Sequence, residues 1–103
     1  MDLNTKEKEE IINAISDNLA ILRKQLNLSQ QDLAEKLNIS RQTITNIENH
    51  RSKMNWITAF SLLMFFVLNP ATMKLLKPLG LITESLLNSS PILKQIFNFK
   101  TKW

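Results

Sequence analysis

Residues 28–48 (LSQQDLAEKLNISRQTITNIE) carry the signals for two short helices with almost no chain between them. Ser29 has the position and chemistry of an N-cap, and Asp32 lies three residues later, where it completes a capping box. Ser40 is the corresponding cap of a second helix. Only residues 37–39 remain for the connection. The segment is therefore predicted to be two helices joined by a tight turn.

Apolar residues flank both caps at the spacing of a hydrophobic staple. Leu28 pairs with Leu33 at the first cap, and Ile39 pairs with Ile44 at the second. Asn38 stands where the chain must reverse, and asparagine tolerates the left-handed conformation that such a turn requires. Each helix is thus fixed at its entry.

The phase of the second helix separates a core face from an outer face. Ile44 and Ile47, three residues apart, are expected to face the core with Leu33 and Leu37. That phase turns four polar side chains outward, namely Arg41, Gln42, Thr45 and Asn46. Arginine pairs with guanine, and glutamine or asparagine with adenine, on the major-groove edge of DNA.

These features together resemble the helix-turn-helix of the lambda-repressor and Cro type, often called the XRE family. The similarity runs from about Asn18 to Arg51. It rests on Arg23, the LSQQDLA run, Ala34, the apolar Ile39, Ile44 and Ile47, and the terminal IEN. Where the family usually has glycine, this chain has Asn27, Asn38 and His50. These three residues are therefore expected to adopt positive φ angles, and His50 is interpreted as a turn residue and not as a ligand.

The resemblance implies a DNA-binding role for named side chains. The base contacts are Arg41, Gln42, Asn46 and Thr45. The contacts to the sugar-phosphate backbone are Gln30, Ser29, Thr43, Asn49, Arg51 and Lys53, of which Gln30 lies at a helix N-terminus that attracts anions. The alternative for each backbone contact is an ordinary solvated side chain.

A salt bridge is also implied. In members of the family an arginine of the first helix pairs with the glutamate that ends the recognition helix, 25 positions later. Arg23 and Glu48 have that separation here. The pair is expected to orient the recognition helix. If it is partly buried, the loss of one partner would leave the other charge without a counterion and destabilise the protein.

No alternating strand pattern occurs, so the fold class is all-α. We expect a lambda-repressor-like five-helix DNA-binding domain with short extra C-terminal helices. The expected divisions are an acidic extension of helix 1 over residues 1–13, a DNA-binding domain over residues 14–80 with the motif at 29–49, and a C-terminal helical segment over residues 81–103. Residues 1–10 are expected to fray.

The later helices are placed by caps and breakers. Asn55 caps a fourth helix that runs through Leu68, and the Asn69-Pro70 pair caps a fifth. The sequence KPLG at residues 77–80 then interrupts the helical structure. Two short helices follow, over residues 83–88 and from residue 90 onward, and residues 100–103 are left as a tail.

Charge and composition agree with a nucleic-acid partner. The formal net charge is +4, but residues 1–22 carry −3, residues 23–80 carry +5 and residues 81–103 carry +2. The positive charge thus surrounds the motif, as phosphate binding requires. With no cysteine and a single histidine, neither a disulfide framework nor a zinc site is expected. No Gly-rich phosphate loop or catalytic triad is present, so we expect no enzyme and no cofactor.

The run WITAFSLLMFFVL at residues 56–68 is apolar on nearly every side. Its 13 residues are too few to span a bilayer, which takes about 20. Either the C-terminal helices of the same chain cover the run, or a second subunit does, and we expect both, with a homodimer formed through residues 56–103. The alternative is an ordinary buried helix in a monomer.

Together these observations predict a cytoplasmic, sequence-specific transcriptional regulator of the bacterial or phage type, a repressor that binds double-stranded DNA as a dimer. The main alternative is an antitoxin-like module whose apolar C-terminal half binds a partner protein. A third possibility, an apolar surface that rests on a membrane, is opposed by the scarcity of basic residues between residues 56 and 73.

Overall fold

The computed structural model describes residues 3–101 of the chain, and the side chains of residues 3–96. The described part is all-α, in agreement with a lambda-repressor-like fold, and contains no strand. Its helices are α1 (Thr5–Gln25), α2 (Gln30–Leu37), α3 (Arg41–Glu48), α4 (Trp56–Val67), α5 (Pro70–Met73), α6 (Glu84–Ser89) and α7 (Pro91–Thr101).

The N-terminal residues are helical from Thr5 onward, so the expectation that residues 1–10 fray is wrong for residues 5–10. Asn4 is the N-cap, and its side chain accepts a hydrogen bond from the Glu7 N–H at 2.8 Å. Glu7 accepts in return from the Asn4 N–H, which completes a capping box. Leu3 is buried beside this cap.

The turn between α2 and α3 is built as the sequence predicts. Ser29 and Asp32 form a reciprocal capping box, and Ser40 caps α3 by accepting from the Thr43 N–H. Asn38 ends α2 in the left-handed conformation, with φ 55° and ψ 44°. Asn27 and His50 also have positive φ, as expected for positions where the family usually has glycine.

The hydrophobic core lies between α1 and the two helices packed on it, α3 and α4. Its fully buried residues include Ile11, Ile15, Leu19 and Leu22 of α1, Leu33 of α2, Ile44 of α3, and Leu62, Leu63 and Phe66 of α4. The helix α3 is therefore carried on α1, and α2 packs beside it.

The chain after residue 54 follows the predicted order with two corrections. Asn55 caps α4 as predicted, and Pro70 begins α5. Asn69, however, makes no side-chain cap hydrogen bond, because its Nδ2 donates instead to the Phe65 carbonyl at 2.6 Å. Residues 100 and 101 belong to α7 and not to a tail, whereas residues 102 and 103 lie outside the described part.

Candidate nucleic-acid interface

The outer face of α3 presents a row of polar side chains. Arg41 and Gln42 are exposed at the start of the helix, and Asn46 is half-buried one turn later. On the opposite face Ile44 and Ile47 are fully buried in the core. The helix is thus anchored by one side, while the other carries groups that can donate and accept hydrogen bonds.

Two of these outer side chains bond to each other. The Nε2 atom of Gln42 donates to Oδ1 of Asn46 at 2.8 Å, across one turn of the helix. Each amide keeps further hydrogen-bonding groups beyond this bond. The bond restricts the side-chain rotamers, so less conformational entropy is lost when the pair meets a ligand.

A buried ion pair holds α3 against α1. Arg23 Nε lies 2.8 Å from Glu48 Oε2, and Arg23 Nη2 lies 3.1 Å from Glu48 Oε1, which gives the bidentate geometry. The two side chains are only 11% and 8% exposed. Arg23 Nη1 also donates to the Leu28 carbonyl at 2.9 Å, so one guanidinium joins α1, the turn before α2 and the end of α3.

Glu48 remains ionised at neutral pH despite its burial. Burial raises the pKa of the Glu48 carboxyl, but hydrogen bonds from Arg23 and Gln30 and the charges of Arg23 and Lys24 lower it by more. The net result is a pKa below the ordinary value for glutamate. Loss of the Glu48 charge would leave the Arg23 charge buried without a counterion.

Gln30, at the first position of α2, bonds to α3. Its Nε2 donates to Glu48 Oε1 at 3.0 Å, and its Oε1 accepts from the Thr45 hydroxyl at 2.9 Å. Both Gln30 and Thr45 are half-buried. The amide therefore links the two helices of the motif, which the sequence did not indicate.

Some of the other candidate contacts to the DNA backbone already form hydrogen bonds or ion pairs within the protein, and others do not. Ser29 caps α2, and the Thr43 hydroxyl lies 2.8 Å from the Ser40 hydroxyl. Asn49 and Arg51 are exposed at the end of α3. Lys53 is exposed as well, but its Nζ is 3.1 Å from Glu9 Oε1 of α1. A phosphate at Lys53 would therefore compete with that carboxylate.

Part of the chain, including the two helices of the motif, matches a known protein family. Residues 19–53, about a third of the chain, match a family model described as helix-turn-helix. This segment is a Cro/C1-type helix-turn-helix of the XRE family. The family consists of DNA-binding regulators, and the match supports a DNA-binding regulator in general. No curated protein and no solved structure gives a significant match.

The helix-turn-helix has a second tether to α1 that sequence reasoning missed. The Ser16 hydroxyl of α1 donates to the Ile47 carbonyl at 3.0 Å, near the last turn of α3. His50 Nδ1 lies 3.1 Å from the same hydroxyl. Because the hydroxyl proton is already given to Ile47, His50 must donate in this contact. Ser16 and His50 are 34 positions apart, and no periodicity in the sequence indicates that they are in contact.

The described residues lack two other kinds of site. Within residues 3–101, no three His, Cys, Asp or Glu side chains lie close enough together to hold a metal ion. No helix in the same range has both the length and the apolar character needed to cross a bilayer.

Proposed function

We propose that this protein is a sequence-specific transcriptional regulator that inserts α3 into the major groove of an operator. The observation that carries the proposal is the two-sided character of α3. Ile44 and Ile47 are fully buried, whereas Arg41 and Gln42 project into solvent from a helix fixed at its end by the Arg23–Glu48 pair. Side chains at the start of a recognition helix reach furthest toward the base edges.

In this proposal Arg41, Gln42 and Asn46 read bases, with Thr45 beside them. Arg41 suits the O6 and N7 atoms of guanine, and the two amides suit the N6 and N7 positions of adenine. Gln30, Ser29, Thr43, Asn49, Arg51 and Lys53 are proposed to contact the sugar-phosphate backbone. Backbone contacts set the register on DNA, while base contacts supply specificity.

We further propose that the protein binds as a homodimer through residues 56–103. Positions 57, 61, 64 and 68 share one face of α4, and Ile57 and Leu68 on that face are 77% and 63% exposed. Residues 54–73 contain no charged residue. Two copies can therefore approach at this face about a two-fold axis without opposing like charges, although each carries a net charge of +4.

A dimer of this kind would present two recognition helices about 34 Å apart, one turn of DNA, and read an inverted repeat. Repression follows if the operator overlaps a promoter, because the bound dimer then occupies the site of the polymerase. Because the proposed partner is double-stranded DNA and the proposed regulator is of the bacterial or phage type, the proposed location is the cytoplasm of a bacterial cell. The domain division at residues 13 and 80 belongs to the same proposal.

Selection from a randomised duplex pool at near-physiological salt tests the proposal. The expected result is an enriched inverted repeat whose half-sites are one turn apart. Enrichment of a single half-site would support sequence-specific DNA recognition but contradict the proposed dimer. If the folded protein enriches no sequence, the proposal is wrong, and any remaining affinity for DNA is electrostatic.

A further inference from the structure

A continuous series of hydrogen bonds runs from the buried ion pair to the outer surface of α3. Arg23 donates to Glu48, Gln30 Nε2 donates to Glu48 Oε1 at 3.0 Å, and the Thr45 hydroxyl donates to Gln30 Oε1 at 2.9 Å. No buried side-chain nitrogen or oxygen in the described part of the chain lacks a partner. The buried polar atoms of the series thus all have partners, and a satisfied polar network holds its members in one arrangement.

The direction of every bond in this series follows from the donor and acceptor chemistry of its first two members. A guanidinium can only donate, and an ionised carboxylate can only accept. Gln30 must therefore turn its NH2 group toward Glu48, which leaves its carbonyl oxygen for Thr45. Because a carbonyl oxygen cannot donate, the single hydroxyl proton of Thr45 is given to Gln30.

We propose that Thr45 meets the major groove only as a methyl group and a hydrogen-bond acceptor, and that Gln30, on the other helix of the motif, is the positioning residue that imposes this restriction. The proposal rests on the proposed function, since it requires α3 to lie in the groove. Its consequence is a specific base preference. Guanine presents only acceptors, N7 and O6, in the major groove and is therefore disfavoured opposite Thr45.

The remaining bases keep a favourable contact with a Thr45 that cannot donate. Thymine offers its C5 methyl group to the threonine methyl, and the amino groups of adenine and cytosine can donate to the threonine oxygen. Thr45 is thus expected to disfavour guanine, and it does not select a single one of the other three bases. Release of the hydroxyl proton by a change at Gln30 would remove this exclusion without any change in Thr45 itself.

Four proteins in the same pool selection test this inference: the wild type, Gln30→Met, Thr45→Val and the double variant. Methionine has a similar length to glutamine but no carbonyl group to accept the proton, and valine matches threonine in shape without a hydroxyl. We expect guanine to be depleted at one half-site position for the wild type and for Thr45→Val. Gln30→Met should restore guanine there on the order of fivefold, the contribution of about one hydrogen bond.

The double variant identifies the donor. If the restored guanine contact is made by the freed Thr45 hydroxyl, then guanine is depleted again in Gln30→Met/Thr45→Val. Gln30→Met also removes a proposed backbone contact, so its overall affinity is expected to fall, and only relative base frequencies are compared. Circular dichroism and an unchanged preference at the positions set by Arg41 verify that each variant is folded and docks in the same register.

The outcomes separate the two proposals. A wild type that enriches no sequence overturns the proposed function and this inference with it. A wild type that enriches an operator, with the same guanine frequency in Gln30→Met, overturns the inference alone. If Gln30→Met does not fold, the comparison between the wild type and Thr45→Val decides the inference. Equal depletion of guanine supports it, whereas guanine that is more frequent for the wild type than for Thr45→Val overturns it, because the Thr45 hydroxyl would then donate.

Discussion

At the scale of single residues, Glu48 accepts three of the hydrogen bonds that fix the end of α3, two from Arg23 and one from Gln30. Glu48→Gln is expected to lower the free energy of unfolding by about 3 kcal/mol, because the buried Arg23 charge loses its counterion. Urea denaturation measures this change. Glu10→Gln on the exposed surface of α1 is the control, and equal losses in both variants would contradict the prediction.

The same carboxylate makes stability depend on acid. The pKa of Glu48 is lowered in the folded protein, so its contribution is complete above the unfolded value of about 4.3 and is lost as the pH falls through the lower folded value. The difference in unfolding free energy between the wild type and Glu48→Gln should therefore shrink as the pH is lowered from 7 to 3. A difference that stays constant over this range would show that the charge of Glu48 is not its source.

Glu9 is expected to weaken DNA binding, because its carboxylate pairs with Lys53 at 3.1 Å. Glu9→Gln frees the ammonium group for a phosphate, so the affinity should rise several-fold and the salt dependence should steepen by up to about one counterion. Titrations at several salt concentrations measure both. Glu10→Gln also removes one negative charge but leaves the Glu9–Lys53 pair intact. If it raises the affinity as much as Glu9→Gln does, the effect comes from net charge and not from the release of Lys53.

At the scale of elements, the end of α2 depends on the left-handed conformation of Asn38, with φ 55°. Asn38→Ala should lower the free energy of unfolding by about 1 kcal/mol, because alanine is strained at positive φ. Thermal or urea unfolding checks this. Asn49→Ala is the matched control, since Asn49 is also exposed at a helix end but has φ −92°. If both substitutions cost the same, backbone strain is not the cause.

The helices were most predictable where local chemistry specifies them. Ser29, Ser40 and Asn55 cap their helices as the sequence predicts, because each cap bonds to a backbone N–H only two or three residues away. The start of α1 could have been predicted by the same rule from Asn4 and Glu7. The acidic, polar composition of residues 1–10 instead predicts a frayed end, which is wrong for residues 5–10.

Another error arose where a side chain had a choice of partners. Asn69 precedes a proline, which marks a helix start, but its amide reaches back to the Phe65 carbonyl at the end of α4. A free carbonyl at a helix end competes for the same amide, and the sequence does not show which contact forms. The Ser16 to Ile47 bond was invisible for another reason, since it joins residues 31 positions apart through tertiary packing.

At the scale of the whole molecule, the apolar outer face of α4 should determine assembly. Ile57→Lys, at a side chain that is 77% exposed, is expected to shift the protein toward monomer and to reduce binding to an inverted repeat more than binding to a half-site. Sedimentation velocity measures the first effect. Ile21→Lys, on α1 and 55% exposed, makes the same change on another helix and should leave assembly unaltered. A wild type that is monomeric at all concentrations would exclude this interface.

The packing of α4 on α1 also bears on how the chain is made. A ribosome delivers α4, the most apolar helix, after α1, α2 and α3, and hydrophobic surface exposed at that stage invites aggregation. The helix α1, which packs on α4, is synthesised before it. A nascent chain therefore already contains the surface that receives α4, and in the proposed dimer only the outer face of α4 waits for the second subunit.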